Sequence, residues 1–389
     1  MHTFLLRFSI LSLFASVTSA STLRVPADYP NIQDALDAGS SGDTISVASG
    51  VYSGPRNREL DFAGKSLRLM GEASVIIDCE EAGRGIRFHS GEGPDAEVAH
   101  LTIRNGLTPF NGGGISCESN SSPTIRNCRV ESCTTPFYGG GIYCGASDPF
   151  IVDCVVDGNG ATGGLGRGAG ILCSSSDPII EGCHILQNQA YQSGGGIYCW
   201  TSSPTVRNCL IEKNEARLRG GGVYCKVLSN PAVDNCVIVE NRAELGGGAY
   251  CYISSLPTFS NSTFAYNRAT RASGGIHCRE TSSPTLVNCI LWGNSPREVF
   301  VTTLEPVLTY CNVSGGWPGA GNIDVDPSFI TYREYSHVLG RGSPAIDAGD
   351  PSIEDGVSDS HPGWPAGYPD GSRSDMGAYG GPGNGRWLR

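Results

Sequence analysis

From Asn111 to about Asn312, apolar positions follow two superposed periods. Within short runs they alternate with polar ones, the pattern of a half-buried strand. The whole pattern then returns every 26 to 29 residues. One phrase recurs as GGGISC, GGGIYC, GAGILC, GGGIYC, GGGVYC, GGGAYC and SGGIHC, ending at Cys117, Cys144, Cys173, Cys199, Cys225, Cys251 and Cys278. A second phrase follows each: SPTIRNCRV, DPFIVDCVV, DPIIEGCHI, SPTVRNCLI, NPAVDNCVI, LPTFSNSTF and SPTLVNCIL. A period of this size predicts a solenoid, whose units bury their apolar side only by stacking on one another. In the unit spanning 194–216, alternation points Ile197 and Cys199 inward and Tyr198 and Trp200 outward. Residues 201–204 make a turn, Val206 points inward, and Asn208 supplies a bend. Cys209 and Ile211 return inward, and Asn214 opens the last turn. Three short strands per unit, repeated in one sense, predict an all-β parallel coil with three faces and about ten turns.

The flanks read differently. Residues 1–20 carry Arg7, an apolar run from Phe8 to Ala15 and the small residues Thr18, Ser19 and Ala20, the form of a secretory signal peptide. The run is too short to span a bilayer, and no other stretch has membrane length, so the mature chain is expected to be exported and soluble. In LRVPADYPNIQDALDAGSSGDTISVASGVY, Leu23–Val25 and Thr44–Val47 read as strands. Between them a helix is expected from Asn31 as cap to Ala38, with Ile32, Ala35 and Leu36 on one face and Gly39 ending it. Such a helix would close the open end of the solenoid. Residues 313–389 are rich in Gly, Pro and Asp and are expected to cap or trail the last coil.

This opening segment resembles the N-terminal cap and first coil of the right-handed parallel β-helix superfamily that includes the pectate lyases. The repeats are similar to those of the polymorphic outer-membrane proteins, which pair a GGA[IV] phrase with FxxN. Here the counterparts are GGG[IV] and [IVFL]xxN, with Phe264, Ala265, Tyr266 and Asn267 matching FxxN literally. The resemblance covers roughly residues 23–312. It implies a pectate-lyase-like right-handed β-helix at 21–312, with 313–389 as C-terminal cap or tail. The segment after the last coil is expected to be too short for the membrane barrel that those outer-membrane proteins carry. NIDVDPSF, GSPAIDAGDPS and PDGSRSDMGAYGG look like the tail of bacterial β-helix surface proteins.

Charge narrows the partners. A formal net charge of −11 argues against nucleic acid and anionic membranes and is compatible with neutral or cationic glycans and with bound divalent cations. The 16 cysteines fall into two columns, the seven above and Cys128, Cys154, Cys183, Cys209, Cys236, Cys289 and Cys311, with Ser262 interrupting the second; Cys79 and Cys133 lie outside both. Buried thiol stacks and disulfides of an exported protein both remain open.

No catalytic motif is present. The polygalacturonase phrases NTD, DD, GHG and RIK are missing, as are DPHE and a GxSxG elbow, so catalytic residues are unassigned. The candidate ligand surface is an outward band of Tyr143, Tyr198, Trp200, Tyr224, Lys226, Tyr250, Tyr252, His277 and Arg279, suited to the faces and hydroxyls of a polysaccharide or cell-surface glycan; strand propensity alone also explains a tyrosine row. Asn159, Asn188, Asn214, Asn241, Asn267 and Asn294 recur at one turn and are expected to form a structural ladder rather than an amide-lined ligand site. Asp347, Asp350, Asp370 and Asp375 are candidate ligands for Ca2+. Val155, Leu210, Val237 and Ile290 form an outward apolar strip, to be covered by the tail or a loop or used for self-association. The expected function is a secreted or cell-surface β-helix protein, non-catalytic, binding carbohydrate or mediating adhesion. The alternative is a polysaccharide lyase or glycoside hydrolase acting on an acidic polysaccharide.

Overall fold

The computed structural model describes residues 20–333, 335–354, 371–382, 384 and 387. The expected signal segment, Ala20 apart, lies outside the described residues. The chain winds into a parallel β-solenoid of about 11 turns. Stacked strands build three long faces: face A of 12 strands, face B of 11 and face C of 10. The unit read in detail from sequence places Ile197–Trp200 on face C, Thr205–Arg207 on face A and Leu210–Glu212 on face B. Ile197, Cys199, Val206, Cys209 and Ile211 all point into one continuous core. Asn208 makes the bend between faces A and B at φ 53°, and Asn127, Asn235, Asn261 and Asn288 repeat it. Asparagine tolerates this left-handed conformation better than most side chains.

A fourth, shorter ladder joins the expected three. Two-residue strands such as Gln189–Ala190 and Glu215–Ala216 stack into six rungs at the corner before the glycines. Its signal was the Asn-x-Ala spacing. Ala161, Ala190, Ala216 and Ala243 form a buried column there, continued at the first rung by Thr135. Just before it, Asn188 Nδ2 donates to Asn214 Oδ1 (2.9 Å), Asn214 to Asn241 (3.0 Å) and Asn241 to Asn267 (3.0 Å). Each amide also binds backbone: Asn214 Nδ2 donates to the Ile185 carbonyl and Asn214 Oδ1 accepts the Asn188 N–H. Turn groups that lack a sheet partner are satisfied in this way. The row ends at Asn294, whose N–H and Nδ2 donate to the buried Glu298 carboxyl.

Both cysteine columns are in register. Cys117, Cys144, Cys173, Cys199, Cys225, Cys251 and Cys278 are paired rung by rung. All 16 thiols are free and buried. Burial raises the pKa of Cys133 to about 12. In the second column each sulfur lies near carbonyls, Cys209 Sγ being 3.2 Å from the Arg207 oxygen. Ser262 uses the same geometry with a 2.9 Å bond to Ser260, so a hydroxyl interrupts that column without losing a partner.

Helix α1, Ile32–Ala38, sits over the first coil with Ile32, Ala35 and Leu36 buried. Its cap departs from expectation. Asn31 makes no side-chain cap bond; instead Asn57 Oδ1 accepts the Ile32 N–H at 2.9 Å from the next coil.

At the other end the chain folds back across face B. Met376, Ala378, Tyr379 and Trp387 pack on Val237, Val239, Ala265 and Ile290. Trp387 Nε1 donates to the Asn235 carbonyl (2.9 Å), and the Ala378 N–H to Thr263 Oγ1 (3.0 Å). The apolar strip is therefore a seat for the tail, which buries Val237 and Ile290 and leaves Leu210 and Val155 half-covered. Self-association through its covered part would first require the tail to leave. Among the described residues no helix is long and apolar enough to cross a membrane.

Candidate functional site

The outward band lies on face C, where strand alternation and rung-by-rung pairing set its side chains in two parallel rows. The first row runs Leu172, Tyr198, Tyr224, Tyr250, His277, Phe300. Ring centroids along its aromatic part are 4.9, 5.2, 4.8 and 5.1 Å apart, the strand spacing itself. The second row, two residues on, holds Trp200, Lys226, Tyr252 and Arg279.

The two rows differ in depth, which alternation alone could not tell. Tyr198, Tyr224, Tyr250 and His277 are almost fully buried, although they point away from the main core. The first glycine of each triplet presses on the row: at Gly194 (φ +68°) a Cβ would come within 2.6 Å of Tyr198, and at Gly220 within 2.7 Å of Tyr224. Tyr138, Leu245 and the second-row aromatics complete the cover. A glycan therefore does not meet those buried rings directly, a correction to the continuous open band expected from sequence. Tyr143, Trp200, Lys226 and Tyr252 are half-buried and Arg279 is exposed. They form the accessible part.

Cations gather on this face and rest on its rings. Lys226 Nζ lies 5.2 Å from the Trp200 ring centroid, and the guanidinium carbons of Arg167, Arg219 and Arg297 lie 5.9, 6.0 and 5.3 Å from Tyr138, Tyr250 and Phe300. Such contacts hold a cation in place without neutralising it. Among the described residues none of Arg167, Arg219, Lys226, Arg279 and Arg297 forms an ion pair, whereas Arg84, Arg87 and Arg271 do. Burial lowers the Lys226 pKa, and the charges of Arg167 and Arg219 add to that effect.

Two pockets open at the ends of the band. One, of about 580 Å³, is lined by Arg84, Arg87, Asn111, Glu118 and the rings of Phe110 and Phe137. The other, of about 820 Å³, surrounds His277 and Phe300. His277 is 3% exposed, and neither ring nitrogen has a hydrogen-bond partner among the described residues. Burial, with Arg279 and Arg219 beside it, lowers its pKa to about 4, so the ring is neutral near pH 7. His277 belongs to the outward band expected from sequence, but its ring contacts with Tyr250 and Phe300 accompany burial.

The candidate calcium ligands are occupied within the tail. Asp375 Oδ1 accepts the Asp347 N–H (2.6 Å), Asp350 accepts both the N–H and hydroxyl of Ser352, and Asp347 accepts the Gly371 N–H. Asp370 lies outside the described residues. Among the described residues no three His, Cys, Asp or Glu side chains are grouped to hold a metal ion.

The family model described as "right handed beta helix region" matches residues 76–243, 166–291 and 195–321. No curated protein matches the chain. Among solved structures, pectate lyase Pel9A superposes with a TM-score of 0.58 at 12% identity, over 94% of this chain and 98% of that one. A variant of the PL6 family alginate lyase AlyGC gives 0.45 at 12% identity, over 80% and 54%. The pectin methylesterase from Aspergillus niger gives 0.31 at 14%, over 78% and 85%. At these identities the similarity concerns the fold.

Proposed function

The chain belongs to the right-handed β-helix family, and on that premise we propose that it is a secreted or cell-surface protein that holds a polysaccharide along face C without cleaving it. The observation that carries this reading is the accessible row of Trp200, Lys226, Tyr252 and Arg279 on consecutive strands. It spans about 14 Å at the strand spacing and alternates ring and cation, with Lys226 resting on Trp200. Rings supply a flat apolar platform and the cations orient hydroxyls or acidic groups, the mixture that suits an extended glycan. Calcium at the tail is not needed for this role.

Affinity electrophoresis of the full chain in gels of neutral and acidic polysaccharides tests the proposal. The double variant Trp200→Ala with Tyr252→Ala removes half-buried side chains and should lose retention while its circular dichroism spectrum is unchanged. Equal retention of variant and parent would overturn the assignment to this row. One observation favours the alternative, a polysaccharide lyase: Arg219, Arg279 and Arg297 line one pocket and supply charge-neutralising groups for an acidic sugar. Unsaturated ends appearing in the polysaccharide on incubation would replace the non-catalytic reading by that one.

A further inference from the structure

The larger pocket on face C carries more information than the row that leads to it. Its cationic wall consists of Arg219, Arg271, Arg279 and Arg297, set against two carboxylates, Glu244 and Glu280. Glu244 is committed to Arg271 at 2.9 Å. The remaining balance is three arginines to one glutamate, on a chain whose formal charge is −11. Arg219 Nε is buried with no acceptor, and both nitrogens of the buried His277 are likewise unmatched. A buried donor without a partner loses the hydrogen bonds it had in water, and guanidinium groups facing one pocket repel one another. Both costs fall away when an anionic oxygen group enters.

Resting on the glycan-binding reading above, we infer that this pocket is an anion subsite: it takes the carboxylate or sulfate of an acidic polysaccharide whose chain continues along Trp200, Lys226 and Tyr252. Arg219, Arg279 and Arg297 receive the anionic oxygens. Guanidinium is suited to this task because its planar donors match a carboxylate or sulfate in pairs.

The experiment is affinity electrophoresis and calorimetric titration of the full chain with polygalacturonate, dextran sulfate and unmodified dextran. The subsite predicts binding to at least one of the two polyanions and weaker binding to dextran. Arg279→Gln with Arg297→Gln should weaken polyanion binding about tenfold or more without unfolding the chain. Lys213→Gln, a cation on face B, should leave it unchanged. Preference for polygalacturonate or for dextran sulfate assigns the anion as carboxylate or sulfate. Binding that is equal for dextran, lost in the Trp200 and Tyr252 variant but indifferent to the arginine changes, would overturn the anion subsite and leave the glycan-binding row standing. Polyanion binding that Lys213→Gln weakens as much as the arginine pair would reduce it to unspecific charge attraction. No binding to any of the three would remove both readings.

Discussion

A single buried side chain can carry information that its place in a pattern conceals. Tyr198 and Trp200 are both outward by alternation, yet Tyr198 is 0% exposed, because Gly194 and the covering corner loops close over the inner row. Direction was legible in the sequence and depth was not, since depth depends on what a neighbouring coil lays on top. Glu298 shows the same limit. Nothing in its local sequence marks it, but it takes the place of the next asparagine in the ladder and is 8% exposed. Burial raises its pKa to about 7, against the bonds from Asn294, which lower it. In the folded chain the carboxyl thus holds its proton more tightly than when unfolded. The resulting stability is fully present below about pH 4.5 and is lost as pH rises through 7. A displacement of this size corresponds to at most about 3 kcal/mol. Melting curves of the native chain and of Glu298→Gln between pH 5 and 8 should differ in slope, with the native chain losing more stability toward pH 8. Parallel slopes would mean that Glu298 does not titrate in this range.

At the scale of elements, contacts within a coil or between adjacent coils were readable and those of the tail were not. The repeats announce their partners by period, and the bends at Asn208 and its equivalents follow from residue type. The tail carries no period, and its bonds to Asn235 join residues 146 to 152 positions apart. What the sequence did hold was the other half of the contact, the apolar strip on face B. Trp387 is the tail's largest anchor, 5% exposed, and packs edge-on against Tyr379 at 5.3 Å. Trp387→Ala should release the tail locally while the solenoid stays folded, because the removed contacts, about 3–5 kcal/mol for a core tryptophan, hold the tail and not the coils. Limited proteolysis should then cut within 326–389 and leave a resistant fragment, and a hydrophobic dye should bind the uncovered Val237 and Ile290. A variant as resistant as the native chain would show that the other tail contacts suffice.

For the whole molecule, charge and stacking lead in different directions. Net charge alone argues against nucleic acid and anionic membranes, yet around the His277 pocket arginines outnumber carboxylates; a sum over the chain cannot see this arrangement. Stacking is the property that the sequence states most fully, and it allows a stringent test. Ser193 pairs in register with Arg167. Removing residues 168–193 therefore joins Arg167 to Gly194 just where Ser193 preceded it. Cys144 then meets Cys199, Cys154 meets Cys209, and Asn159 meets Asn214, so every column closes over the gap. Because each coil contacts only its neighbours, stability should fall by about one repeat and its interface, with cooperative unfolding retained. His277 lies four strands from the deletion, about 19 Å at the strand spacing; Arg219, the pocket residue whose partner Ser193 is removed, takes Arg167 as its new partner, and binding to polyanions through Arg279 and Arg297 should persist. Removing only residues 181–193 takes out half a coil, sets face A against face C, and should abolish folding. If both deletions unfold alike, coils are not interchangeable units and the columns are not what holds the molecule. If the full-coil deletion folds but loses polyanion binding, the ligand needs the length of the face as well as the pocket at its end.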